Sequence, residues 1–230
     1  MSKFIAWIPA RGGSKRLPRK NIMPFCGKPL IYYSIKCAQD CSRISDVFVS
    51  TDDKEIAQVS EQFGAKVIMR PDSLSSDDAT AGSAARHVLE SLSIQSNKDL
   101  TGLVTLQATQ PLRSQKILEE CLAKFENLKG DLDSLITVSL NRLKIGNIVN
   151  DTFKPTSYRP EQRSQDLIPT YFENGVVYVS KPELIHKESK IFNEHSVAIV
   201  LDDIYSRIDI DDQLDFDIAE FIFKNYGNVS

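Results

Sequence analysis

The sequence predicts an α/β fold, with a mostly parallel sheet covered by helices on both faces in three layers, α/β/α. Three observations lead there. Short apolar runs rich in β-branched residues recur along the chain. Segments of helical periodicity separate them. Several of the runs are apolar almost throughout, as strands buried on both faces must be. At 230 residues the chain reads as a single domain, 1–230, with one excursion.

Each element follows from its own residues. Residues 3–9 form the first strand, around Phe4-Ile5-Ala6-Trp7-Ile8. Residues 29–40 read as a helix with Leu30, Tyr33 and Cys37 on one face. DVFVST (46–51) is a β-branched strand. Residues 53–63 are a helix, capped by Asp52 or Asp53 and ended by Gly64. AKVIM (65–69) is a strand, and 78–92 is a helix with Ala81, Ala84, Ala85, Val88 and Leu92 along one side. LTGLVTLQ (100–107) is a strand, 117–128 a helix and SLITVS (134–139) a strand. The alternation then breaks. Residues 141–170 are polar, contain Pro155, Pro160 and Pro169, and lack a period. So long a loop is unusual in a compact domain; it reads as an arm, a lid or a dimer contact. Strands resume at GVVYVS (175–180) and VAIVL (197–201). A last helix spans Asp212 to Asn225, with Leu214, Ile218, Phe221 and Ile222 as its core face.

Composition excludes several functions. The net charge of −3 argues against a nucleic-acid or anionic-membrane binder. No apolar run approaches the roughly 20 residues of a membrane span, and the first apolar segment reads as a strand, not a leader. Four cysteines are too few for a disulfide framework, and Cys37 and Cys41 lack the partners of a zinc site. They read as structural thiols, which places the chain in a reducing cytoplasm. His87, His186 and His195 are scattered, with no nucleophile paired to them. Trp7, Tyr32, Tyr33 and Phe172 read as core or interface.

The chemistry concentrates in residues 8–21, IPARGGSKRLPRKN. Arg11, Lys15, Arg16, Arg19 and Lys20 surround the adjacent Gly12 and Gly13, directly after the first strand. The dinucleotide fingerprint G-x-G-x-x-G is absent, and Gly27-Lys28 is followed by Pro29, which excludes the P-loop. The physics still favours a polyphosphate. Glycines let backbone N–H groups approach an anion, and the cations offset about four negative charges of a nucleoside triphosphate. α/β sheets bind ligands outside the carboxyl ends of their strands, where this loop lies.

IPARGGSKRLPRKN followed by PFCGKPLIYYSI resembles the N-terminal signature of the acylneuraminate cytidylyltransferases, the CMP-sialic acid synthetase family. Four further blocks are similar, in the same order: residues 50–80 with Arg70-Pro71, Leu74 and Asp77; LQATQPLRS (106–114); RSQDLIPTYFENGVVYVS (163–180); and RIDIDDQLDFDIAE (207–220). The resemblance implies a Rossmann-like nucleotidyltransferase fold with a dimerisation arm at 141–170. It implies transfer of CMP from CTP to the anomeric hydroxyl of a nine-carbon 2-keto acid sugar, with Mg²⁺ as cofactor and pyrophosphate released. Legionaminate- and pseudaminate-type sugars stay open beside sialic acid. An enzyme for 3-deoxy-octulosonate and a nucleotide-binding protein without turnover are the alternatives.

The same resemblance implies roles. Arg11, Gly12, Gly13, Ser14, Lys15, Lys20 and Asn21 cradle the triphosphate, with Arg11 and Lys20 stabilising the transition state. Ala10, Asn21, Arg70, Asp77 and Thr80 read cytosine and ribose. Arg16 and Arg19 read equally well as solvent-exposed cations. Asp209 and Asp211 hold Mg²⁺; two apart in an extended segment, their carboxylates point the same way. Without the resemblance they read as acids favouring the start of a helix. Gln107, Arg163, Gln165 and Asn174 contact the sugar acid. Arg163-Ser164-Gln165 replaces the family's usual Arg-Arg-Gln, and Ala108 and Gln110 stand where Pro and Ser are common.

Overall fold

The computed structural model describes residues 3–76, 78–96 and 98–227. A seven-stranded sheet forms its centre. Its strands are β1 (Phe4–Pro9), β4 (Ile44–Thr51), β5 (Lys66–Met69), β6 (Gly102–Thr105), β7 (Ser134–Asn141), β10 (Thr170–Ser180) and β11 (Ser196–Leu201). Two small hairpins account for the other labels: β2 (Pro24–Phe25) with β3 (Lys28–Pro29), and β8 (Gly146–Val149) with β9 (Thr152–Pro155). The order is β11-β7-β10-β6-β1-β4-β5. All pairings in the large sheet are parallel except those of β10, which runs antiparallel between β6 and β7.

Strand β1 shows why the sheet is buried on both sides. Phe4, Ala6 and Ile8 pack on one face with α1 (Leu30–Asp40) and α4 (Gln115–Glu126). Ile5 and Trp7 pack on the other with α3 (Ala81–Ser91). That is the two-residue period of a strand serving two cores. Trp7 is fully buried and donates from Nε1 to Thr105 Oγ1 at 2.6 Å, a core role as expected. The expected N-cap holds at α2 (Lys54–Gln62), where Asp53 accepts from Glu55 N and Ile56 N. Gly64 ends that helix with φ +81°.

Three expectations need correction, and one helix is added. The helix expected over 78–92 starts only at Ala81, because Thr80 caps it by accepting from Ser83 N at 3.1 Å. α5 (Pro182–Glu188) is a full helix that periodicity did not announce. The polar excursion contains β8 and β9, joined through Asn150 and Asp151, both at positive φ. That is the two-residue turn that suits a hairpin. Finally, α6 (Gln213–Tyr226) buries Phe216, Ala219 and Ile222, while Leu214, Ile218 and Phe221 are exposed.

The buried face of α6 belongs to a third cluster with Leu17, Phe25, Leu30, Leu112 and Ile210. Leu17 is the apolar residue in the middle of the basic loop. Burying it contributes about 1.5–3 kcal/mol toward fixing that loop over the sheet edge.

Candidate functional site

The chain passes from β1 through β4 to β5 on one side, then returns to place β6 on the other side of β1. A sheet opens a crevice at such a reversal, beyond the carboxyl ends of its strands. Here it is a cleft of about 420 Å³. The loop after β1 lines one wall with Arg11, Ser14, Lys15, Arg16, Leu17, Lys20 and Asn21. The loop after β6 supplies Gln107, Ala108 and Thr109, and Asp211 closes the rim.

Several local devices hold the basic loop. Gly12 N donates to Asp52 Oδ1 at 2.9 Å, and a Cβ on Gly12 would come within 2.8 Å of Asp53 Oδ2. Only glycine fits so close to the start of α2. Asn21 is buried, and its Nδ2 donates to the Arg11 carbonyl at 3.0 Å, tying the loop's two ends together. Arg19 takes a left-handed conformation and forms an ion pair with Glu55. Of the amides once expected to face an anion, Gly12 spends its N–H on Asp52 and Ser14 donates to the Gly12 carbonyl at 3.0 Å. The side chains therefore carry most of the loop's positive character.

Opposite them lies the acidic segment. Ile210 is fully buried and its N–H donates to the Thr109 carbonyl at 3.1 Å. This pins residues 209–211 to the loop after β6 and sets Asp209 and Asp211 on either side of a buried residue. Lys20 Nζ donates to the Ile210 carbonyl at 2.6 Å and to Asp211 Oδ1 at 3.1 Å. Arg16 Nη2 reaches Asp211 Oδ2 at 2.6 Å. Arg16, which read equally well as exposed, is thus 69% exposed and still paired with this carboxylate. Asp209 keeps an exposed residue surface, yet its carboxyl is pushed up from the usual range, chiefly by desolvation. Asp211 and Asp215 push the same way; a hydrogen bond with Thr109 and the charge of Lys20 oppose them.

The remaining expected residues divide into groups. Ala10 and Arg70 meet at one atom: Ala10 N and Arg70 Nη2 both donate to the Ser50 carbonyl, at 3.0 and 2.8 Å. Burial pulls the Arg70 guanidinium below its ordinary value, Asp52 raises it and Arg11 lowers it further, so these three charges sense one another. Thr80 is exposed at the start of α3. Asp77 lies outside the described residues. Asn174 is buried, and its amide is engaged by Thr137, Ser139 and Val176 N rather than turned to the cleft. Arg163 and Gln165 are exposed on the excursion, and Gln165 lines a separate hollow with Leu140 and Ile168. Gln107 alone of the four expected sugar contacts reaches the cleft.

Sequence reasoning missed two residues beside Gln107. Arg113 is buried and donates to Val176 O at 2.5 Å, Ser34 Oγ at 3.0 Å and Gln107 O at 3.0 Å. Desolvation lowers its pKa. Gly175 takes φ +72° at an irregularity in β10, directly against the Gln107 side chain. The Asn-Gly pair was a visible turn signal; Arg113 had none.

Comparison with known proteins places this geometry. A family model described as Cytidylyltransferase matches residues 5–216. The chain belongs to this family. It is therefore a nucleotidyltransferase, and the match spans the central sheet, the basic loop and the acidic segment around Asp209 and Asp211. A pseudaminic acid cytidylyltransferase of Campylobacter jejuni (strain 81-176) is 34% identical over 226 residues, covering 96% of this chain and 97% of that protein. A CMP-N,N'-diacetyllegionaminic acid synthase of Legionella pneumophila is 32% identical, covering 96% and 97%. An N-acylneuraminate cytidylyltransferase of Escherichia coli O18:K1:H7 is 29% identical over 95% of this chain but only 51% of its own length. Among solved structures, a CMP:2-keto-3-deoxy-manno-octonic acid synthetase complexed with CTP superposes with TM-score 0.72 at 17% identity, covering 98% and 100%. That likeness establishes the shared fold.

Proposed function

We propose that this cytidylyltransferase transfers CMP from CTP to the anomeric hydroxyl of a nonulosonate, a nine-carbon 2-keto acid sugar, releasing pyrophosphate. The observation that carries the reading is the cleft itself. Four cations of one loop, Arg11, Lys15, Arg16 and Lys20, line it together with the Asp211 carboxylate at the reversal point of the sheet. The relatives named for pseudaminic, legionaminic and N-acylneuraminic acids supply the acceptor class.

In this reaction the sugar oxygen bonds to the α-phosphorus and the bond to the bridging oxygen of pyrophosphate breaks. The protein must hold these atoms in line and neutralise charge on the leaving group. Arg11, Ser14, Lys15, Lys20 and Asn21 line the triphosphate side, with Arg11 and Lys20 nearest the developing charge. Gly12 and Gly13 give the loop its close fit. Ala10, Arg70 and Thr80 lie toward the nucleoside. Gln107 meets the sugar.

Mg²⁺ belongs to the same reading. The Asp209 carboxyl is disfavoured as an anion by burial and by Asp211, and a cation between them removes both costs. Among the described residues no cluster of three or more His, Cys, Asp or Glu side chains forms a metal site. A pair of carboxylates completed by substrate phosphates and water is what Mg²⁺ accepts. Bound there, the ion would draw charge from the leaving pyrophosphate.

The excursion fits a homodimer. Leu143, Ile145, Ile148 and Phe153 are exposed along it, and Tyr171 and Phe172 beside it at the start of β10, an apolar surface suited to a second copy. In such a dimer Arg163 and Gln165 would complete the partner's site. Sedimentation reporting a monomer at assay concentration, with full activity, removes the dimer from the reading. Among the described residues no helix is long and apolar enough to cross a membrane.

Pyrophosphate release from CTP with a panel of pseudaminate, legionaminate and N-acetylneuraminate tests the function. Turnover with at least one is expected. No turnover with any of them, or turnover with 3-deoxy-octulosonate alone, defeats it.

A further inference from the structure

We propose that Arg113 and Gly175 are positioning residues that seat the side chain of Gln107 and thereby set the affinity for the acid sugar. The inference rests on the proposed function, in which Gln107 faces that sugar.

Arg113 works from behind. Its guanidinium is buried without a carboxylate in hydrogen-bonding contact, an expensive placement unless every donor is used well. Its three bonds join three segments. Nη2 holds the Gln107 carbonyl after β6, Nε holds Val176 O in β10, and Nη1 holds Ser34 Oγ in α1. Ser34 Oγ in turn donates to the same Gln107 carbonyl at 2.9 Å. The carbonyl of Gln107 therefore accepts from Arg113, from Ser34 and, at 3.3 Å, from the Gln110 amide, which saturates it and fixes the peptide plane. A planar, rigid fork is needed to reach three acceptors in three directions; a lysine ammonium on its flexible stem is not equivalent.

Gly175 works from the front. A Cβ there would lie 2.7 Å from Gln107 Oε1 and 3.1 Å from Cδ. The carboxamide occupies the space that any other residue's Cβ would take. The same bond network brings the two together, since Val176, held by Arg113, follows Gly175 directly. Gln107 is thus fixed at its backbone by Arg113 and at its side chain by the bare face of Gly175.

Besides the link from Lys20 through Ile210 to the Thr109 carbonyl, the triphosphate loop has anchors of its own. Asp52, Glu55, Asn21 and the buried Leu17 hold it, and none of them bonds to Arg113. Loosening Gln107 should therefore weaken the sugar and spare the nucleotide. This split separates positioning from general destabilisation.

The test is steady-state kinetics on the full chain with the nonulosonate that the wild-type protein turns over. Arg113→Lys and Gly175→Ala should each raise KM for the sugar about tenfold while KM for CTP changes by less than about twofold. In a Gln107→Ala background neither substitution should add a further rise, because the side chain they seat is gone. If the effects add in that background, or if KM for CTP rises in parallel, the proposal is overturned. Should Arg113→Lys not fold, Gly175→Ala decides: an unchanged sugar KM in a folded Gly175→Ala protein overturns it. A wild-type chain inactive on every nonulosonate defeats the proposed function instead. In that case CTP binding by calorimetry to wild type and to Gly175→Ala should still be equal, and an inequality counts against the separate-anchor argument.

Discussion

Replacing Lys20 by methionine isolates one charge in the cleft. The lysine side chain is 12% exposed, and two of its three N–H donors are spent on Ile210 O and Asp211 Oδ1. One donor remains for a phosphate oxygen, on an ammonium whose charge is shared with Asp211. At about 4 Å and an effective dielectric near 20, that attraction is worth roughly 4 kcal/mol. Part of it is already present in the bound ground state, and only the part that grows as pyrophosphate leaves speeds the reaction. Removing one directed donor of this type costs about 2.7–4 kcal/mol, or 10²–10³ in kcat. Methionine keeps the apolar stem, so the fold loses only the two bonds, about 1–3 kcal/mol together. The assay is pyrophosphate release at saturating CTP and sugar, with a thermal melt in parallel. A folded Lys20→Met protein within about threefold of wild-type kcat would refute the assignment of this amine to the transition state.

Arg11→Ala should lower kcat by about 10²-fold, well beyond its effect on the melting temperature, and a comparable kcat would remove it from the transition state. Asp211→Asn should stay folded while the Mg²⁺ dependence of turnover shifts to higher concentration; an unchanged Mg²⁺ titration contradicts its role as ligand. Asp209→Asn should raise the melting temperature at pH 7. Because the folded protein holds the Asp209 carboxyl above its ordinary value of 3.8, its ionised form destabilises the fold. The gain should accordingly be absent below about pH 3.8, appear as the pH rises past the raised value and persist at neutrality; a melting temperature lowered at pH 7 contradicts this. Mg²⁺ with CTP should stabilise the wild type by mass action and the Asp209→Asn protein less.

How much could be read from residues alone depended on the range of the interaction. Strand β1 and its two cores were legible because a two-residue period on a run apolar throughout permits one arrangement. The basic loop was legible because five cations and two glycines have few structural uses. The excursion was legible as an interruption but not as a hairpin, since the Asn150-Asp151 turn is a local signal buried in a polar stretch. Arg113 stood in a recognised block, LQATQPLRS, but its burial and role were not legible. Its three acceptors lie 79, 63 and 6 residues away in sequence, and nothing near Pro111-Leu112 marks the arginine as buried.

Helix α6 shows the limit most clearly, because periodicity there gave a core face of four residues, of which only Ile222 is buried. The helix carries two apolar stripes at helical spacing, one with Leu214, Ile218 and Phe221 and one with Phe216, Ala219, Ile222 and Phe223. A period of 3.6 identifies both and ranks neither. What decides is the loop that the helix must cover. Phe25 packs edge-on against Phe216 and Phe223, with ring centroids 5.5 and 5.6 Å apart, and the Cys26 amide donates to Glu220 Oε1 at 2.9 Å. Those contacts tie the β2–β3 hairpin, directly after the basic loop, to the helix directly after Asp211. At the N-terminal end of the same helix, Asp212 and Asp215 form a capping box, and Asp215 Oδ2 accepts from the Asp211 amide at 3.0 Å. The orientation of α6 is therefore set by the need to hold the cationic and acidic walls of one cleft at a fixed separation. No count of apolar residues along the helix contains that requirement, because both walls lie outside it.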